Sequence, residues 1–181
     1  AGMRVTGRGQ VICVIDSGID YRHGDLGGCL GESCRVIEGY DFVNNDNDPM
    51  DDLGHGTNVA GVLRGVTPDA RLLAVKVCNN QGSCNGNHVL AGMNWCLDNI
   101  GNFGTDVLTM SITNNGQYNG DNPCPLGIRP AVRRATGFDI PTIAISGNNG
   151  HKNGISWPGC EENVISVGAV YDANLGSVGR C

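Results

Sequence analysis

No stretch of this chain comes near the run of about 18 apolar residues that a membrane-spanning helix needs. Its cleanest apolar run, Val11–Ile15, has the length of a strand. Basic residues are scarce as well. The 12 Lys and Arg against 18 Asp and Glu leave a formal charge of −6, so neither a nucleic-acid footprint nor a polybasic membrane anchor is expected. The first ten residues lack the charged start and apolar stretch of a secretory leader, and no repeat or low-complexity tract occurs. What remains is a chain of 181 residues, 40% hydrophobic and 17% charged, suited to one domain with a sizeable core. Its 29 glycines imply many tight turns and close backbone approaches.

Cysteine is plentiful. Nine of them, Cys13, Cys29, Cys34, Cys78, Cys84, Cys96, Cys124, Cys160 and Cys181, are dense for a cytosolic protein and ordinary for an exported one. An oxidising compartment, secreted or otherwise extracytoplasmic, is expected. Cys13 sits in an apolar run and reads as a small buried hydrophobe without a disulfide. Proximity pairs Cys29 with Cys34 and Cys78 with Cys84. Pairing Cys96 with Cys124 and Cys160 with Cys181 completes one arrangement, a partner for Cys181 outside the chain is an equal alternative, and spacing does not decide connectivity.

Strand-like apolar runs alternate with helical patterns along the chain. Strands are predicted at Val11–Ile15, Leu72–Val77, Asp106–Met110, Pro141–Ile145 and Val164–Val170, with helices at Gly56–Leu63, Val89–Leu97 and Pro130–Thr136. That rhythm is α/β, and near-continuous apolar strands between helices predict a doubly wound, mostly parallel sheet covered on both faces. Two Gly- and Asn-rich stretches, Asn44–Gly54 and Asn114–Gly127, exceed plain connectors and are expected to carry function. In such sheets ligands bind beyond the carboxyl ends of the strands, so residues following each strand come first.

Three places stand out. Asp16, in Val14-Ile15-Asp16-Ser17-Gly18, puts a carboxylate at the mouth of a buried strand, where it needs a hydrogen-bonding, cationic or imidazole partner. His55, in Gly54-His55-Gly56-Thr57, lies between glycines at a helix start; that position disfavours its cationic form, and a carboxylate such as Asp16 would counter this and fix the tautomer. Asn148, in Ser146-Gly147-Asn148-Asn149-Gly150, presents an amide that could donate to a developing oxyanion, although Asn and Gly also dominate ordinary turns.

These three segments, with Val75-Lys76-Val77, Gln81-Gly82-Ser83, Met110-Ser111-Ile112 and Trp157-Pro158-Gly159 between and beyond them, resemble in order and separation the subtilase (subtilisin-like serine protease, peptidase S8-type) family. The resemblance runs along nearly the whole chain. It implies Asp16 as the residue orienting the histidine, His55 as general base and Asn148 as oxyanion donor. It implies two edges that hold an extended polypeptide substrate, Gly82, Ser83 and Cys84 on one side and Ser111, Ile112 and Thr113 on the other. Gly147 would border the pocket for the residue preceding the cleaved bond, and Trp157-Pro158 would be a cis peptide. A propeptide or a C-terminal segment is an implied partner. A structural calcium is compatible with the resemblance, but no metal ligand is assigned and no other cofactor is expected.

The sequence departs from the family pattern in three respects. Asn58 stands where the family commonly has a second histidine. Thr113 stands where the family commonly has glycine, which implies a narrowed or reshaped pocket. The Gly-Thr-Ser-Met-Ala-type turn that bears the nucleophile does not occur; Ser17, Ser111 and Ser177 all lack the required setting. Residues 1–181 are therefore expected to be a partial subtilisin-like peptidase domain, its C-terminal part missing, inactive alone. The alternative is an inactive peptide-binding module, or a fragment that pairs with a separate serine-bearing chain. An aspartic protease built on Asp16-Ser17-Gly18 lacks its second copy, and a zinc site from Cys78, Cys84 and His88 is less simple than a disulfide.

Overall fold

The structure, a computed structural model, describes residues 5–170. Strand β1 (Val11–Asp16) is followed by β2 (Val36–Asp41), α1 (His55–Val66), β3 (Arg71–Lys76), α2 (Gly86–Asp98), a single-turn α3 (Ile100–Phe103), β4 (Thr105–Met110), α4 (Arg129–Gly137), β5 (Thr142–Ile145) and β6 (Val164–Val167). They form a six-stranded sheet in the order β2-β3-β1-β4-β5-β6, with every pairing parallel.

Strand β1 is buried along its whole length because helices cover both faces of the sheet. Side chains alternate between faces. Val11, Cys13 and Ile15 enter one core with Met93, Cys96 and Leu97 of α2 and Val132 of α4. Ile12 and Val14 enter the other, with Val59, Ala60 and Leu63 of α1. Asp16 continues the even series and so faces α1. Each edge carries one strand: β2 on one side, and β6 on the other, with Ile165 54% and Val167 48% exposed.

The predicted elements are present, with β2 and the single-turn α3 in addition and the last strand shorter. Strand β2 carries no clean signal, since Val36-Ile37-Glu38-Gly39-Tyr40-Asp41 mixes two acids and a glycine into a short run. Strand β6 stops at Val167 rather than Val170, where its pairing with β5 ends.

The cysteines need a larger correction. Cys29–Cys34 and Cys78–Cys84 are bonded as proximity suggested, but Cys13 is bonded to Cys96, and Cys124 to Cys160. Cys13 is not a free core thiol. Its strand face looks onto α2, which brings it against Cys96 in the same core, so burial there said nothing about pairing. The Cys78–Cys84 bond also removes the zinc reading. Cys181 and Ser177 lie outside the described residues. Trp157-Pro158 is cis.

Candidate active site

Asp16 ends β1, and His55 begins α1 across the same face of the sheet. Their side chains meet: His55 Nδ1 lies 2.7 Å from Asp16 Oδ1. An ionised carboxylate can only accept, so the proton sits on Nδ1 and Nε2 is left as the free acceptor. The Asp16 side chain is 2% exposed against 49% for His55, so a buried carboxylate holds a solvent-facing imidazole. Burial pushes the Asp16 carboxyl above its ordinary pKa, against the lowering pull of hydrogen bonds from His55 and from Ser17 N–H. Asp16 Oδ2 is buried without a partner. Close approach requires glycine at position 56, because a Cβ there would stand 2.1 Å from Gly18 O and 3.2 Å from Asp16 Oδ1.

The loop between β2 and α1 is held by charge. Asp16, Lys76 and Asp41 are in register at the carboxyl ends of β1, β3 and β2. The Lys76 side chain, 2% exposed, sends Nζ to Asp52 Oδ2 at 2.7 Å, Met50 O at 3.1 Å and Asp41 Oδ2 at 3.5 Å. Burial would lower its pKa, but the hydrogen bond to Asp52 and the charge of Asp41 outweigh that and raise it. Within the same loop Asp51 Oδ1 accepts from Ser17 Oγ, Leu53 N and Gly54 N, and Oδ2 accepts from Thr57 N and Thr57 Oγ1. Those bonds hold the Asp51 carboxyl below its ordinary pKa although burial alone would raise it.

A cleft of about 260 Å³ opens in front of His55, lined by Asp16, His55, Gly82, Cys84, Ser111, Ile112, Thr113 and Asn148 of the predicted residues, and additionally by Leu53, Cys78 and Asn115. Ser83 lies between two lining residues without lining the cleft itself. Gly147, at φ 120°, lines a neighbouring hollow of about 290 Å³ with Ser146, Asn149, Gly150, His151, Gly154 and Ile155. The two loops that frame these spaces are stitched together: Tyr118 and Ile155 exchange backbone hydrogen bonds, Asn149 Nδ2 donates to Asn115 O, and Cys124 is bonded to Cys160. The sequence held signals for some of what was missed. Asp51 stands in the first long Gly- and Asn-rich stretch and Asn115 in the second, but nothing local announces that Lys76 reaches the first.

The arrangement presents Nε2 of a carboxylate-held imidazole as a proton acceptor at the wall of an open cleft. Among the described residues, no group of three or more His, Cys, Asp or Glu could hold a metal ion.

Residues 7–178 match the Subtilase family. Serine protease AprX of Bacillus subtilis (strain 168) is 35% identical over 192 aligned residues, covering 97% of this chain and 41% of that protein. A thermophilic serine proteinase of Bacillus sp. (strain AK1) is 36% identical over 176 residues, covering 91% of this chain and 39% of that protein. The crystal structure of a cold adapted subtilisin-like serine proteinase superposes with a TM-score of 0.67 at 27% identity, covering 87% of this chain and 54% of that one. The chain thus spans about two fifths to one half of these relatives.

Proposed function

The chain belongs to the subtilase family, and from that premise we propose that it is the part of a serine endopeptidase that supplies the orienting carboxylate, the general base and the oxyanion amide. The observation that carries this is the 2.7 Å contact between His55 Nδ1 and Asp16 Oδ1 at the wall of a cleft that Asn148 also lines. In the reaction, His55 Nε2 takes the proton of a serine hydroxyl as that oxygen attacks the peptide carbonyl. Asp16 stabilises the imidazolium that results. The Asn148 amide, with a backbone N–H, donates to the oxyanion of the tetrahedral intermediate. His55 then returns the proton to the leaving amine.

The Gly-Thr-Ser-type turn that would bear the nucleophile does not occur in residues 1–181, so the serine is proposed to come from outside them. Substrate lies extended between the Gly82–Cys84 edge and the Ser111–Thr113 edge, adding a strand whose main-chain hydrogen bonds supply affinity. Thr113 carries a branched Cβ into this cleft and restricts which side chains fit beside it. The four disulfides among the described residues support work in an oxidising, extracytoplasmic setting.

The test compares the 181-residue chain with the complete protein of its reading frame in hydrolysis of a peptide ester. Turnover by the complete protein alone, lost on His55→Ala, is expected. Hydrolysis by the 181-residue chain that His55→Ala abolishes would place the nucleophile inside it and refute the assignment. A complete protein that binds peptide without cleaving it would support a binding module instead.

A further inference from the structure

Helix α1 begins without the residue that usually finishes a helix start. Its N-cap is Gly54 at φ 95°, which has no side chain to accept from the first turn, and no acidic residue lies within that turn. The leading N–H groups of a helix have no partners inside it and must find them elsewhere. Here two residues from outside the helix provide them. Ser17 Oγ, on the turn leaving β1, accepts from Gly56 N at 2.9 Å, and Asp51 Oδ2 accepts from Thr57 N at 2.9 Å. The two caps are joined, since Ser17 Oγ donates to Asp51 Oδ1 at 2.9 Å.

The geometry makes this joint cap part of the site. Ser17 follows Asp16 directly, and its backbone N–H donates to Asp16 Oδ1 at 2.7 Å, the same oxygen that receives His55 Nδ1. Asp51 therefore grips the helix that carries the imidazole and, through one hydroxyl, the turn that carries the carboxylate. Thr57 adds a second link, because its Oγ1 also accepts from Asp20 N at 2.9 Å. A carboxylate beside the leading N–H groups of a helix is favourably placed against the helix dipole as well. Asp51 takes Leu53 N, Gly54 N and Thr57 N but not Gly56 N, which the Ser17 hydroxyl takes, so the N–H next to His55 is capped from the turn that carries Asp16.

We propose that Asp51 and Ser17 are positioning residues for the His55–Asp16 pair, setting the separation of base and carboxylate by capping α1 from the β1 turn. This rests on the functional reading above for its purpose, yet its test needs no turnover. A ring N–H held 2.7 Å from a carboxylate gives a proton resonance far downfield of the amides that exchanges slowly with water. The signal is recorded on the ¹⁵N-labelled 181-residue chain and assigned by its loss in His55→Ala.

Asp51→Asn keeps an acceptor for Ser17, Leu53 and Gly54 but replaces the oxygen facing Thr57 N. Ser17→Ala removes one hydroxyl. Both are expected to move the resonance upfield and speed its exchange by about tenfold or more, the scale of one lost charge-assisted hydrogen bond. The backbone amide spectrum outside residues 16–20 and 49–60 should superpose on the wild type, and Ser17→Thr, which keeps a hydroxyl, should restore the signal. Ser17→Ala decides the matter if Asp51→Asn does not fold. A folded Ser17→Ala chain with the resonance unmoved and its exchange unchanged overturns the proposal. So does failure of Ser17→Thr to restore a signal that Ser17→Ala has lost. Neither outcome bears on whether the complete protein cleaves peptides.

Discussion

Replacing Lys76 by methionine isolates what the buried ammonium does. The two side chains have similar length, so the volume at the carboxyl end of β3 stays filled and the packing change is small. What changes is charge. Asp41, 1% exposed, loses its cation, while Asp52, whose side chain is 43% exposed, can turn to water at little cost. Breaking a buried pair by removing one partner typically costs about 3–5 kcal/mol. Asp41 keeps hydrogen bonds from Val43 N, Asn44 N and Asn44 Nδ2, which places the expected loss near the lower end, about 3 kcal/mol. At roughly 2–4 °C per kcal/mol for a domain of this size, the melting temperature falls by roughly 6–12 °C. Circular dichroism at pH 7 with disulfides intact reads it.

The double variant Lys76→Met, Asp41→Asn has no buried charge left at this position and should recover at least half of the loss, a coupling that a non-interacting pair would not show. The pH dependence follows from the raised Lys76 pKa. Its contribution is complete below the ordinary lysine value of about 10.4 and fades as pH rises through the higher folded value. Stability of the wild type should therefore fall in that alkaline range, and that of Lys76→Met should fall less, keeping only the share of other groups such as Tyr21, whose pKa is also raised. A Lys76→Met chain melting within 2 °C of wild type, on the scale of roughly 0.5–1 kcal/mol, or a double variant no better than the single, refutes the reasoning.

Asp16→Asn separates stability from catalysis. Because the folded pKa of Asp16 is raised, its contribution is favourable below about 3.9 and lost as pH rises through the folded value, so the neutral variant should melt no lower at pH 7. Its turnover in the complete protein should drop about 10⁴-fold, since an amide no longer holds the required tautomer; unchanged turnover would remove the orienting role. Asn148→Ala in the complete protein should cost about 10²–10³ in kcat with little change in KM, and a pure KM effect would make Asn148 a binding residue. Opening Cys13–Cys96, of sequence separation 83, by paired Ala substitution should cost about 4–5 kcal/mol on loop-closure grounds, against about 2 kcal/mol for Cys29–Cys34 at separation 5. Urea midpoints compare the two, and equal losses would contradict the loop-length argument.

The parts of the fold legible in the sequence were those with an unbroken apolar run or a marked helix start. Strand β1 reads plainly because all of Val11–Asp16 is buried, and α1 because its start is marked by Gly54-His55-Gly56. Strand β2 was hidden, since an edge strand bearing Glu38, Gly39 and Asp41 has no clean apolar pattern. The site divides likewise. Asp16, His55 and Asn148 each follow a recognisable local motif, and the cleft brings them together. The clamp by Lys76 was not legible, because it depends on the register that sets Lys76 beside Asp41 and on a loop folding back across both. The Cys13–Cys96 bond was misread for the same kind of reason: which face of β1 meets which face of α2 is a tertiary fact.

The strand order has a kinetic side. The central strand cannot pair with its chain neighbour: Val11 finds Arg71 on one flank and Thr105 on the other, and no parallel pair can be closed by a tight turn. Every pairing that buries β1 waits for a distant segment, which makes the search long and places this sheet among slowly folding topologies. The site shares that delay. Asp16 leaves β1 and His55 opens α1, but the groove beside them closes only when segments around Gly82, Ser111 and Asn148 have arrived. A newly made chain therefore passes through a period in which its apolar centre is assembled piecemeal while its peptide groove does not yet exist.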